Sequence, residues 1–280
     1  IIDFYGEGAA EELFCIPTAG TGAWLPAPLI EARMTVSNPI IRVELPANFL
    51  HLSRLERAML MAEPIAQVKD ALTRLNRDRR HAFGFDFARV ADLSVGTLLS
   101  IDNLLKREEV LTLEMRNVPG DEQKLLTRMI LTGAPRLVGA AFDATGMGWT
   151  VAEDMGRLFG FRTEENDGGL IAPVKFSTDW YRFNMPPLKA AFEDDAIALS
   201  KDDEHLSDVR LVRVVAGVPK VPDVRTGEGS KKRHGDFAIA LALGHWASRQ
   251  QWFQYEYTSI ADLYRQLEGH NGGPPLDDDD

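Results

Sequence analysis

The stretch HAFGFDFARVADLSVGTLLSID, residues 81–102, decides the fold. Its first half alternates phenylalanines with small or acidic residues. Because side chains of a strand point to opposite faces in turn, the phenylalanines share one face and Gly84, Asp86 and Ala88 share the other. We predict a hairpin here, with one strand ending near Ala88 and the next starting near Asp92.

The elements that follow the hairpin alternate between helix and strand. Apolar spacing predicts a third strand at 109–116, a helix at 121–131, a strand at 136–143, a helix at 149–160, a strand at 171–176, a helix at 186–198, a mixed segment at 205–216, a glycine-rich basic loop at 227–235 and an apolar helix at 236–248. Three strands followed by alternating helices and strands are typical of an α/β fold with a mixed sheet.

The segment that precedes the hairpin has a different character. Five prolines in residues 1–50 predict irregular chain with short strands, and residues 51–75 predict a helix that Pro64 kinks or divides. We place a domain boundary near residue 78. The chain is thus divided into an irregular N-terminal extension (1–78), a main domain (79–250) and a C-terminal segment (251–280) with an acidic tail whose composition predicts disorder.

Composition and charge limit the classes of protein to which this chain could belong. The 280 residues carry a formal net charge of −11, which argues against a general nucleic-acid binder, although basic residues cluster at 77–80 and 231–233. One cysteine, Cys15, excludes a disulfide framework and a thiolate metal cluster. Since no apolar run approaches the roughly 20 residues that span a bilayer, we expect no membrane partner.

Three aspartates lie where separate elements begin or end. Asp86 projects from the small face of the first strand, Asp143 ends the apolar run LVGAAFD before a glycine-containing turn, and Asp236 follows Gly235 at the start of the last helix. The carboxyl end of a central strand is where α/β sheets usually bind ligands. Each aspartate taken singly also fits a structural role, as a strand end, a turn former or a helix cap.

Carboxylates of this kind suit one chemistry. Mg²⁺ prefers oxygen ligands and binds through a few carboxylates plus substrate phosphate. Two such ions can activate a water and stabilise the leaving oxygen of a phosphodiester. Convergent aspartates without a Cys or His cluster fit this requirement and do not fit zinc.

Three segments resemble one known family. GFDFARVADLSV (84–95), LVGAAFDATGMG (137–148) and KKRHGDFAIALALGHWA (231–247) resemble the nuclease domain of large terminase subunits from tailed phages and prophages, most of all the Mu-like group. The resemblance covers roughly residues 80–250, and the third segment is its most distinctive part. It implies an RNase H-like mixed sheet flanked by helices.

The resemblance also implies a function and a set of site residues. It implies an endonuclease that cuts double-stranded phage DNA during packaging with two Mg²⁺ or Mn²⁺ ions held by Asp86, Asp143 and Asp236. Asp92 matches a further acidic position often seen just after the first motif and is a fourth candidate metal ligand, and it fits a hairpin turn equally well. The basic run Lys231, Lys232, Arg233 and His234 is expected to contact DNA, with a solvated loop as the alternative.

The expected partners and setting follow from the same resemblance: double-stranded DNA, the portal protein, the small terminase subunit and the host-cell cytoplasm. No G-x-x-x-x-G-K-[ST] sequence occurs, and residues 18–22 (TAGTG) lack the lysine, so we expect no ATP hydrolysis by this chain. Residues 1–78 would then be the trailing part of a motor domain and a linker. Two alternatives stay open: another RNase H-like nuclease such as a resolvase or transposase core, and a non-catalytic docking module of the packaging motor.

Overall fold

The hairpin at 81–102 forms the middle of a seven-stranded mixed sheet in the computed structural model, which describes residues 23–88, 93–146, 148–163, 168–221 and 233–250. The strands of this sheet are β1 (Ile40–Glu44), β2 (Arg80–Asp86), β3 (Leu93–Ile101), β4 (Arg107–Arg116), β5 (Leu137–Asp143), β6 (Ile171–Val174) and β7 (Ile197–Ala198). Two further strands, β8 (Arg213–Val215) and β9 (Val218–Lys220), form a separate hairpin.

The helices are α1 (Ala27–Arg33), α2 (Arg54–Thr73), α3 (Gly120–Gly133), α4 (Gly148–Phe159), α5 (Thr178–Glu193), α6 (Asp203–Arg210) and α7 (Asp236–Arg249), with a 3₁₀ turn at Phe49–His51. Helices α2, α3 and α4 pack on the sheet face that carries Phe83, Phe85 and Phe142. Helices α1, α5, α6 and α7 pack on the other face. None of the helices in the described part of the chain combines the length and apolar character that crossing a bilayer requires.

The order of strands along the sheet is β1-β4-β3-β2-β5-β6, with β7 added beside β4. Strands β2, β3 and β4 are antiparallel neighbours, whereas β5 is parallel to β2 and β6 is parallel to β5. Parallel neighbours need a crossover, and the helix α4 supplies the one between β5 and β6. The predicted α/β fold, a mixed sheet flanked by helices, is confirmed.

Helix α7 lies closer to the sheet than side chains usually permit. A Cβ added to Gly84 would lie 2.0 Å from the carbonyl oxygen of Ala240 and 2.2 Å from the amide nitrogen of Gly244. The helix backbone therefore rests directly on β2, and 11 of the 14 residues of α7 are buried. This contact fixes the height of α7 above the strand that carries Asp86.

Two helix predictions were inaccurate because proline was given too much weight. Helix α2 runs through Pro64 without a break, and α5 begins at Thr178 instead of 186, with Pro186 and Pro187 inside it. The hydroxyl of Ser177 caps α5 by accepting a hydrogen bond from the Trp180 N–H (3.1 Å). The residues four positions before the prolines are exposed, so water can satisfy the carbonyl groups that lose their N–H partners.

The N-terminal extension contributes to the main sheet. Strand β1 pairs in parallel with β4 from Ile40↔Thr112 to Glu44↔Arg116, and α1 places Ile30 in the core beneath α5 and α6. The boundary near residue 78 stays a prediction, but the described residues on its N-terminal side complete the same fold.

Candidate metal centre

Asp86 and Asp143 are the last residues of two neighbouring parallel strands. The pairing of β2 with β5 runs to Phe85↔Phe142, so the two aspartates follow at the same level, on strands about 4.8 Å apart. Gly84 faces α7, and Asp86, two residues later, projects to that same face. Asp143 projects to the α7 face as well. Ala141, two residues before it and opposite Gly84, packs with residues of α7.

Asp236 arrives from the first turn of α7. Gly235 precedes it with φ +80°, a left-handed conformation that favours glycine, and a Cβ there would meet Val221 at 2.9 Å. The N–H of His234 donates to Asp236 Oδ2 (3.1 Å). One turn after Asp236, Ala240 rests against β2. The Asp236 carboxylate therefore lies toward the end of β2 that holds Asp86.

Asp143 and Asp236 both lie within electrostatic reach of Asp86. Burial raises the pKa of Asp86 well above its ordinary value, and repulsion from Asp236, Asp143 and Asp208 raises it further. Burial also raises the pKa of Asp143, against the hydrogen bond from the Thr145 N–H to its Oδ1 (2.8 Å). The pKa of Asp236 is raised to about 6 by burial and by Asp208.

These residues fit a hard divalent cation in their chemistry. They are oxygen donors on three separate elements, and within the described residues neither Asp86 nor Asp143 forms an ion pair with a cationic side chain. In those same ranges, no three His, Cys, Asp or Glu side chains form a ready-made metal site. The other aspartates therefore repel Asp86 electrostatically, but the carboxylates do not come together as a complete set of metal ligands. This is expected of like charges, which repel each other.

Asp208 is a fourth carboxylate that sequence reasoning missed. It is fully buried near the end of α6, and its Oδ2 accepts from the backbone N–H of Phe237 (3.1 Å), which caps the first turn of α7. Arg233 donates to it through Nε (3.0 Å to Oδ1) and Nη2 (2.7 Å to Oδ2). No local pattern singles out Asp208, because its role depends on partners 25 and 29 residues away.

A buried ionic network continues from Asp208 across the sheet. Arg233 Nη2 also donates to Glu114 Oε1 (2.6 Å), and His205 Nε2 lies 3.1 Å from the same oxygen. Arg42 donates through Nε to the other Glu114 oxygen (2.8 Å). Glu114 is only 3% exposed, so its charge is compensated inside the protein.

The structure places the predicted DNA-contacting residues unevenly. Asp92, Lys231 and Lys232 lie outside the described residues. His234 is partly buried at the start of the last helix. Arg233 is 8% exposed and its guanidinium is held by Asp208 and Glu114, so the structure gives it the role of an internal ion-pair partner, while its contact with DNA stays a prediction.

The chain is similar to two curated phage or prophage proteins. It is 37% identical over 259 residues to the Mu-like prophage FluMu protein gp28 of Haemophilus influenzae, across 92% of this chain and 50% of that protein. It is 36% identical over 282 aligned positions to the probable terminase, large subunit gp28, of Escherichia phage Mu, across 98% of this chain and 49% of that protein. The chain thus spans about half the length of the curated relatives it matches.

No protein-family model matches the sequence. Among solved structures, the large terminase nuclease from thermophilic phage G20c with bound magnesium aligns at a TM-score of 0.44 and 20% identity, over 61% of this chain and 82% of that one. The large terminase of bacteriophage HK97 aligns at a TM-score of 0.44 and 13% identity, over 64% and 42%. The resemblance carried by the three sequence segments is confirmed by the two curated relatives: this chain is a homologue of the Mu-like gp28 proteins, one of which is a probable large terminase subunit.

Proposed function

We propose that this chain is a metal-dependent endonuclease that cleaves double-stranded DNA during packaging of a phage genome. One observation carries the proposal. Asp86 and Asp143 end adjacent parallel strands on the same face, where burial and then repulsion between carboxylates raise the pKa of Asp86 and no internal cation within the described residues compensates the pair. The homology to a probable large terminase subunit supplies the biological setting.

Asp86, Asp143 and Asp236 would hold Mg²⁺ or Mn²⁺ in this proposal. Two bound ions supply an activated water and stabilise the leaving oxygen of a phosphodiester. The protein's own part is to fix the ligands: the Thr145 N–H orients Asp143, and the His234 N–H orients Asp236. A cation between the aspartates would relieve their repulsion and lower their raised pKa values.

The proposed partners rest on the resemblance to large terminase subunits. We propose duplex DNA as the substrate and the portal protein and small terminase subunit as partners. The host-cell cytoplasm is the proposed setting. No general base is assigned to a side chain, because hydroxide generated at the metal needs none.

The test is cleavage of supercoiled plasmid in Mn²⁺ or Mg²⁺ by the wild-type chain and by Asp86→Asn. Metal-ion catalysis contributes several kcal/mol, so we expect the variant to lose about a hundredfold or more in rate. Asp70→Asn is the matched control, because Asp70 is an exposed carboxylate on α2, across the sheet from the centre. Equal nicking by wild type and Asp86→Asn would contradict the proposal.

A further inference from the structure

Three arginines meet at the end of the sheet opposite the aspartates. Arg80 pairs with Ile101, and Ile101 pairs with Arg107, so the three residues form one row across β2, β3 and β4. Ile101 packs with Leu243 on the α7 face, which places both arginines on that face as well. Arg249 ends α7 above them.

Neutral groups hold the guanidiniums in place. Arg107 donates through Nε to Ser248 Oγ (3.0 Å) and through Nη1 to the carbonyl oxygen of Leu105 (2.6 Å). Arg249 donates through Nη2 to Asn184 Oδ1 (3.2 Å). In the ranges that the structure describes, neither Arg107 nor Arg249 forms an ion pair with a carboxylate.

Arg107 and Arg249 carry positive charge that no carboxylate among the described residues pairs with. Burial lowers the pKa of Arg107, and the nearby charges of Arg249 and Arg80 lower it further, with Asp102 acting in the opposite sense. His245 on α7 is 1% exposed, and its Nδ1 has no hydrogen-bond partner among the described residues. Burial, then Arg107 and Arg249, hold the pKa of His245 well below its ordinary value.

A contrast on the opposite face shows what is unusual here. Arg79, one residue before Arg80, is matched by Glu108 (2.8 Å). On the α7 face, Arg107 and Arg249 repel each other and have no ion-pair partner among the described residues, in a protein with a net charge of −11, where carboxylates are plentiful. Like charges at close range are unfavourable unless an anion joins them, and arginine is the residue best suited to bind phosphate in a bidentate manner.

We propose that Arg80, Arg107 and Arg249 form an oxyanion site that takes a backbone phosphate of the duplex substrate. The proposal rests on the proposed function, because it takes DNA as the ligand. Helix α7 has 14 residues and begins at Asp236 and ends at Arg249, so the two ends of the helix are about 20 Å apart. That distance corresponds to about six phosphates along one strand of a duplex.

The test measures binding of a labelled 30-base-pair duplex by fluorescence anisotropy with divalent ions chelated, so that no cleavage occurs. We expect Arg107→Gln and Arg249→Gln each to weaken binding about tenfold at low salt and to lower the slope of log K against log salt by about 1. Arg74→Gln is the control, because Arg74 is exposed on α2 across the sheet, and it should bind like the wild type.

Two further arms make the result decisive. Arg107→Lys keeps the charge, so it should retain more affinity than Arg107→Gln, and thermal melting confirms that each variant is folded. Inorganic phosphate at constant ionic strength should compete with the duplex in the wild type. Unchanged duplex binding in folded Arg249→Gln and Arg107→Gln would overturn the site, even if phosphate alone binds. Because no metal is present, that failure is separate from loss of nuclease activity in Asp86→Asn.

Discussion

Two regions of one row of residues across the sheet differ in whether their buried negative charge is compensated. The row runs from Asp143 on β5 through Asp86 on β2 and across β3 to Glu114 on β4, all on the α7 face. Glu114 is surrounded by Arg233, His205 and a further arginine from β1. Among the described residues, the charged groups that shift the pKa of Asp86 are all carboxylates. The matched region holds the fold together, whereas the unmatched one is where we propose that a cation binds.

The pKa values follow this division. Burial alone would raise the pKa of Glu114, but hydrogen bonds from His205 and Arg233 outweigh it and hold that pKa well below its ordinary value. Burial raises the pKa of Asp86, and its acidic neighbours raise it further. Two carboxylates in one row, separated by a single strand, therefore have opposite effects on stability at neutral pH.

Breaking the matched region should have the largest effect. Arg233→Met removes the cation shared by Asp208 and Glu114, and leaving such charges buried without a partner typically costs about 3–5 kcal/mol. We expect a loss of this size in the free energy of unfolding, measured by urea denaturation. Arg74→Met, at an exposed site, should change it by less than about 0.5 kcal/mol. A loss of under about 1 kcal/mol in Arg233→Met would contradict the structural role of this network.

Moving α7 away from β2 should have a smaller effect on stability. Gly84→Ala places a Cβ 2.0 Å from the Ala240 carbonyl oxygen, so α7 must move away from β2. Overpacking of this kind costs about 1–3 kcal/mol, and it would also displace Asp236 from Asp86. We expect plasmid cleavage to fall more than the remaining folded fraction explains. Gly120→Ala is the control, since a Cβ there has nothing within 4 Å. Full cleavage by Gly84→Ala would show that the seating of α7 does not position the site.

Removing one carboxylate from the unmatched region should change the free energy of unfolding least, and this change should stabilise the protein. The pKa of Asp236 is raised from 3.8 to about 6, so its contribution to stability is fully present below about pH 4 and is lost as pH rises through 6. Asp236→Asn removes that loss, and the metal-free variant should be about 1–2 kcal/mol more stable than the wild type at pH 7.5 and equal to it near pH 4. The measurement is urea denaturation in a chelator at both pH values. A less stable variant at pH 7.5 would contradict the repulsion.

Local periodicity predicted most of the framework around the site. The alternation in residues 81–102 gave the hairpin, the run LVGAAFD gave β5, and the apolar stretch after Gly235 gave α7. Because the aspartates lie at the ends of these elements, Asp86, Asp143 and Asp236 could be selected before any tertiary contact was known. Their assignment as metal ligands stays a prediction.

Long-range pairing was beyond the reach of the sequence. Arg233 lies in a basic run and was expected to contact DNA, yet its guanidinium binds Glu114, 119 residues away, and Asp208, 25 residues away. The pairing of β1 with β4 could not be predicted either, because a five-residue strand among prolines gives a weak local signal. Such partners are determined by packing, which no short window of sequence contains.

The most direct test of the central claim is calorimetric titration of Mn²⁺ into the wild-type chain, Asp86→Asn, Asp143→Asn and Asp70→Asn. If Asp86 and Asp143 share a cation, the wild type and Asp70→Asn bind Mn²⁺ with the same affinity, while Asp86→Asn and Asp143→Asn lose at least about tenfold in affinity. If Asp86→Asn and Asp143→Asn bind Mn²⁺ as the wild type does, or if the wild type binds none, the two carboxylates do not form a metal centre.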